Sequence, residues 1–308
     1  MTPADTPSSP IYLISPSGAV APDAPLERAL ANLRAAGFAP TLDRAALKIR
    51  QRFAGNDDAR AAAFVRAAAQ PASIVMTTRG GYGLTRILPL LDFKALARAN
   101  KRWVGMSDFT AFQLAMLARA KAVTWTGPAL LEDFAAERFE DVDETTLGSF
   151  RDAMDGSVEI LGFRYAGPKE VDARGTLWGG TLSIVCALLG TPWLPKVDGG
   201  ILFLEDVNEH PYRVERMLTQ LLHAGVLDRQ AAVVLGYFNR YRLVDADRGF
   251  DMPDVVKWLR AQTKTPILTG LPFGHASPKL TLPHGAQVGI ATEGRTCYLV
   301  LEEHHHHD

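Results

Sequence analysis

The chain has 308 residues, 47% hydrophobic and 22% charged, a composition that excludes disorder as its main state and a length that fits about two domains. Its 33 Lys and Arg nearly balance 34 Asp and Glu for a net charge of −1. No global field therefore draws it to nucleic acid or an anionic membrane, and a small molecule is the expected partner.

The first ten residues are rich in Thr, Pro and Ser and carry no Lys or Arg, so they lack the charged start of a secretory signal and are expected to be disordered. From 11 to 149, short β-rich runs alternate with helical periodicity, the pattern of a parallel α/β layer. The run 11–14 is a strand ending in a Ser-Pro-Ser-Gly turn, and 26–36 is a helix closed by Gly37. Residues 72–76 form a strand, followed by the loop Thr78-Arg79-Gly80-Gly81-Tyr82-Gly83 and a short helix that Pro89 limits. A strand at 102–106 runs straight into Ser107 and a buried helix from Asp108 to Arg119.

Gly162, Gly167 and Pro168 mark 150–172 as a linker. The remainder, 173–303, reads as a smaller, β-richer α+β domain. Its helices are 182–189 and one opening at Pro211, with Val214, Met217, Leu218, Leu221 and Leu222 at helical spacing; its strands are 201–204, 232–235, 267–269, 287–291 and 297–301. Residues 304–308 resemble an expression tag. No apolar run approaches the roughly 18 residues that span a bilayer. The two cysteines, Cys186 and Cys297, are too few for a disulfide framework or a thiolate zinc site, and suit a reducing cytoplasm.

Three polar groups stand where α/β layers gather chemistry, at strand ends and in the loops beyond them. Ser107 follows a strand and precedes a helix, as a nucleophile on a tight turn does, and equally as a helix cap does. Glu205 closes the apolar run 201–204, where a carboxylate can be held rigidly. His275 sits in Gly270-Leu271-Pro272-Phe273-Gly274-His275. Serine needs a base to be nucleophilic, and the base needs an acid to fix its tautomer, so the three are the right types for acyl transfer. The loop 80–83 fails as a phosphate cradle because no P-loop lysine follows. It serves as an oxyanion or carboxylate site, with Arg79 and Arg86 adding positive charge, or simply as a tight turn. Asp206, Glu209, Glu215, Arg213 and Arg216 read as a solvated helix-start cluster, and no spacing suggests a metal.

Seven ordered blocks carry a resemblance: Thr78-Arg79-Gly80-Gly81-Tyr82-Gly83, Val104-Gly105-Met106-Ser107-Asp108-Phe109-Thr110-Ala111, Thr126-Gly127-Pro128, Gly175-Thr176-Leu177-Trp178-Gly179-Gly180, Gly190-Thr191-Pro192-Trp193, the stretch 204–217 beginning Leu204-Glu205-Asp206, and the block 270–275. The sequence resembles the LD-carboxypeptidases, in particular the muramoyltetrapeptide carboxypeptidases of murein recycling. The resemblance implies a flavodoxin-like first domain, a β-rich swivelling second domain and a homodimer without metal or other cofactor. It makes Ser107 the nucleophile, Glu205 the orienting acid and His275 the base. The oxyanion hole falls to the backbone N–H groups of Gly81 and Asp108, and substrate contacts to Arg79, Gly80, Tyr82 and Gly83. The implied substrate is the murein tetrapeptide L-Ala-γ-D-Glu-meso-diaminopimelate-D-Ala, cleaved before D-Ala. Two rival readings are a microcin-C self-immunity peptidase of the same family, for which no adenine-stacking insertion is evident, and a non-catalytic nucleotide-binding module. Because Ser107 lies in one domain and Glu205 and His275 in the other, the Glu–His bond is expected before substrate arrives and the Ser–His bond only on closure.

Overall fold

The alternating pattern of the first half builds a largely parallel sheet with helices on its faces. The computed structural model describes residues 8–301; the tag-like tail and residues 1–7 lie outside them. Strands β1 (Ser9–Ile14), β2 (Phe38–Leu42), β3 (Ile74–Thr77), β4 (Arg102–Gly105) and β5 (Thr124–Thr126) are parallel in the order β5-β4-β3-β1-β2. β1 begins at Ser9, inside the stretch expected to be disordered. The helices are α1 (Leu26–Ala35), α2 (Asp57–Ala68), α3 (Leu84–Ile87), α4 (Phe93–Arg98), α5 (Thr110–Ala120), α6 (Leu130–Asp133) and α7 (Glu144–Asp155). Side chains of Asn56 and Asp143 accept the Ala59 and Thr146 amides and so start α2 and α7.

The second half supplies β6 (Ile160–Arg164), β7 (Asp172–Thr181), β8 (Ile201–Val207), β9 (Ala232–Asn239), β10 (Ile267–Thr269), β11 (Leu282–His284), β12 (Gln287–Glu293) and β13 (Thr296–Leu301), with α8 (Leu182–Ala187), α9 (Pro211–His223) and α10 (Met252–Gln262). Seven of these strands form a second sheet in the order β10-β9-β8-β7-β12-β13-β6, parallel from β10 to β7 and antiparallel beyond. The fold is thus α/β with a flavodoxin-like parallel layer and a second, mixed sheet.

Two segments depart from the expected division. The stretch 150–172 is largely structured: α7 runs to Asp155, and β6 pairs with β13 as the edge of the second sheet. Leu161 and Phe163 bury on one face of β6 while their neighbours are exposed, a period-two pattern that outweighs the glycines around it. The other is β11, which leaves the second half and pairs antiparallel with β5, Leu282 opposite Thr126, as the sixth strand of the first sheet. As an edge strand it tolerates Pro283. The halves also share a core. α5 is buried from Thr110 through Leu117, and one apolar cluster runs from Phe64 and Phe112 to Trp178, Leu182 and Val214.

Candidate active site

Ser107 sits at the carboxyl end of β4, on a turn whose geometry is unusual for a side-chain-bearing residue. Its φ is 61°, in the left-handed region, between an extended Met106 and the single 3-10 turn Ser107–Phe109 that leads into α5. Such a conformation costs energy for serine, and it is the kind of strand-to-helix elbow that lifts a hydroxyl clear of its own backbone. The sequence shows a turn here but not its handedness. Among the described residues the Ser107 hydroxyl makes no hydrogen bond, to His275 or to any other group.

The glycine loop packs directly on this serine. A Cβ at Gly80 would lie 2.6 Å from Ser107 Cβ and 2.7 Å from its Oγ, so only glycine allows the loop to approach so closely. The loop is fixed from both ends: Gly18 N–H donates to Gly80 O at 3.2 Å, and Leu84 N–H donates to Asp108 Oδ2 at 2.9 Å. Asp108 also accepts from Ser17 Oγ at 2.6 Å. Its side chain is buried, and burial raises its pKa, opposed by the Ser17 and Leu84 hydrogen bonds. The side chain of Asp108 therefore ties the Ser107 turn to two loops. Its backbone N–H and that of Gly81 make no backbone hydrogen bond among the described residues and are free to donate.

Arg79 reaches Ala19 O with its guanidinium at 2.9 Å and, with Gly18, Gly81, Arg52 and Tyr82, lines a cleft of about 300 Å³. Tyr82 is half-exposed, packs against Phe53 and carries the Arg52 guanidinium over its ring. Two arginines and loop amides make the cleft suited to a carboxylate-bearing ligand.

Glu205 lies on β8, fully buried, at a register shift between Leu204 and Asp206. All of β8 from Ile201 to Asp206 is buried, as in a strand covered on both faces, so Asp206 does not belong to the solvated cluster expected at the start of α9. Thr181 Oγ1 donates to Glu205 Oε1 at 2.6 Å, and Glu205 Oε2 lies 2.8 Å from His275 Nδ1. A carboxylate there calls for the proton on Nδ1, which leaves Nε2 as the basic atom. Gly274, at φ 133°, precedes the histidine, and a Cβ on it would stand 3.0 Å from Glu205 Oε2. Asp206 accepts the amides of Ser183 and Val207, and burial, reinforced by the Glu205 charge, pushes its pKa up to about 6.

The structure thus joins Glu205 to His275, and Gly80 to Ser107, from positions far apart in the chain. Thr181 was not among the expected site residues; its only signal is its place closing the Gly179-Gly180 run. Its amide donates to Thr110 Oγ1 at 3.2 Å, linking the partner of Glu205 to the helix that follows Ser107. Both cysteines are free and buried, and burial pushes each thiol up to about 12. Glu209 and Arg213 pair loosely at 3.9 Å on the surface. Among the described residues no group of three or more His, Cys, Asp or Glu side chains is placed to hold a metal ion, and no helix is long and apolar enough to cross a membrane.

Comparison with known proteins follows the same two halves. Residues 11–127 match the LD-carboxypeptidase N-terminal domain and residues 174–290 the LD-carboxypeptidase C-terminal domain. The chain is 29% identical to the "Probable murein peptide carboxypeptidase" of Bacillus subtilis, covering 92% of this chain and 90% of that one. The crystal structure of muramoyltetrapeptide carboxypeptidase from Oxalobacter formigenes superposes with a TM-score of 0.86 at 40% identity, covering 95% and 98% of the two chains. The microcin C7 self-immunity protein MccF of Escherichia coli is 26% identical over 70% of each chain. A structure of MccF with aspartyl sulfamoyl adenosine superposes at TM-score 0.87 with 23% identity over 97% of each, a likeness of fold alone.

Proposed function

Since the chain belongs to the LD-carboxypeptidase family, we propose that it is a serine carboxypeptidase that releases the terminal D-Ala of the murein tetrapeptide during peptidoglycan recycling in the cytoplasm, acting as a homodimer. The observation that carries this reading is the Glu205–His275 pair at 2.8 Å, its acid fully buried, in a chain that also holds Ser107 strained and, among the described residues, without a hydrogen bond at the end of β4. Ser107 Oγ attacks the carbonyl carbon at the L-centre of diaminopimelate while His275 Nε2 takes its proton. The oxyanion is met by the amides of Gly81 and Asp108, each such donor being worth about 2.7–4 kcal/mol. His275 then protonates the departing D-Ala amine, and water, deprotonated by the same ring, clears the acyl-enzyme. Glu205, held by Thr181, keeps the ring in one tautomer and offsets the imidazolium charge. Arg79, with Gly80, Tyr82 and Gly83, meets the substrate's carboxylates.

The 40% identity to a muramoyltetrapeptide carboxypeptidase, against 23% to MccF, supports this substrate over an aminoacyl-adenylate analogue. The test is direct: the purified protein is incubated with L-Ala-γ-D-Glu-meso-diaminopimelate-D-Ala, and separately with aspartyl sulfamoyl adenosine. Release of D-Ala with the second compound intact is the expected result. Cleavage of the second alone refutes the murein reading in favour of the immunity reading.

A further inference from the structure

Lys279 follows His275 by four residues and is used by none of the chemistry above. Its side chain is 2% exposed, and its ammonium donates to both oxygens of Asp133, itself 3% exposed, at 2.7 and 2.9 Å. Asp133 Oδ2 also accepts the Ala129 amide at 2.9 Å. A buried ion pair contributes little net stability, because desolvating two charges offsets their attraction. What it does supply is a fixed distance and direction between the two chain segments that carry it.

Those segments are the two sides of the candidate site. Asp133 ends α6, whose Leu131 amide donates at 2.9 Å to Thr78 O, at the start of the glycine loop. Lys279 lies in the loop of His275, between tethers of opposite origin. Upstream, Asn239 donates to His275 O and Tyr237 to Pro278 O, both from β9. From Lys279 to His284 the first half takes hold as well: Lys279 N–H donates to Thr146 Oγ1, Thr281 N–H to Ser149 Oγ, and β11 joins β5, while Leu280 N–H still donates to Pro272 O. The base is carried by the second sheet, yet its loop is anchored on the body that carries the nucleophile.

We propose that the Lys279–Asp133 ion pair is the strut that sets His275 against Ser107, making both residues positioning residues for the base; this rests on the serine-carboxypeptidase reading. The test uses the full chain as wild type, Lys279→Met and Lys279→Arg, with three readouts: melting temperature, kcat and KM for D-Ala release, and the rate at which a fluorophosphonate probe labels Ser107. Displacing reacting groups by 1 Å costs about 100-fold, so folded Lys279→Met is expected to lose about 10–100-fold in both kcat and labelling rate, with KM little changed. Lys279→Arg keeps the charge but lengthens the strut, and is expected to fold and to be slowed in both rates. A folded Lys279→Met with wild-type rates, or one raised in KM alone, overturns the proposal. Should Lys279→Met fail to fold, Lys279→Arg decides: slowed rates support the strut, wild-type rates refute it. A wild type that is labelled yet releases no D-Ala refutes the substrate reading, while the labelling rates still judge the strut.

Discussion

Replacing Gly80 by alanine adds one methyl group at the closest approach between the glycine loop and Ser107. That methyl would stand 2.6 Å from Ser107 Cβ and 2.7 Å from Oγ, against 3.7 Å from the Asp108 amide nitrogen. Carbon atoms in contact prefer about 3.5–4.0 Å, so the loop and the serine must separate by about 1 Å. Gly80 is not among the glycines with positive φ, so the contact, not the backbone, is what alanine offends. Overpacking of this kind costs about 1–3 kcal/mol of stability, while a 1 Å displacement of a nucleophile costs about 100-fold, or roughly 2.7 kcal/mol, in rate. The expected Gly80→Ala protein is folded, modestly destabilised and about 100-fold lower in kcat/KM for D-Ala release, followed by oxidation of the product with a D-amino acid oxidase. Gly148→Ala is the control: it lies on α7 with nothing within 4 Å of the added Cβ, so it should keep full activity and gain about 0.5–1 kcal/mol. A Gly80→Ala enzyme as fast as wild type would show that the loop and Ser107 do not act together, and the oxyanion assignment would fail with it.

Thr181→Val leaves Glu205 Oε1 buried without its 2.6 Å donor; about 1–3 kcal/mol is expected to be lost, and a loss of that size at the transition state is about 5–150-fold in kcat, with Thr181→Ser near wild type; full activity in the valine variant would remove the hydroxyl from the account. Asp206, pushed up to about 6 by burial, stays protonated in the fold while the unfolded chain ionises it from its ordinary 3.8. It therefore lowers stability as pH rises between those values, by up to about 3 kcal/mol. Asp206→Asn should gain on wild type from pH 4 to 6 in urea unfolding; parallel curves would contradict this. Chelation with EDTA should leave D-Ala release unchanged, and a loss restored by zinc would reveal a metal requirement.

Much of this arrangement can be read from local pattern, and the unread parts have physical causes. β1, β3 and β4 are continuous apolar runs bounded by turn residues, and α9 spaces its apolar residues at the helical period behind Pro211. α2 escaped because alanines surround it on every side, leaving little contrast between faces. β11 is three residues with a central proline, which reads against a strand until β5 provides an edge. At the site, residue types and turns suggested Ser107, Glu205 and His275. The positive φ of Ser107, the burial of Asp206 beside Glu205 in a strand covered on both faces, and the Thr181 hydroxyl all depend on neighbours distant in sequence. Lys279 is of a type that favours water, and only the meeting of α6 with the His275 loop explains its burial.

The central claim, that Ser107 is the nucleophile of a D-Ala-releasing carboxypeptidase, is tested most directly by Ser107→Ala assayed on the tetrapeptide beside wild type. The substitution removes one hydroxyl that makes no hydrogen bond among the described residues, so the melting temperature should not fall. Loss of a serine nucleophile costs on the order of 10⁶ in kcat, which places the variant below detection. D-Ala release by Ser107→Ala at a rate near wild type would contradict the account.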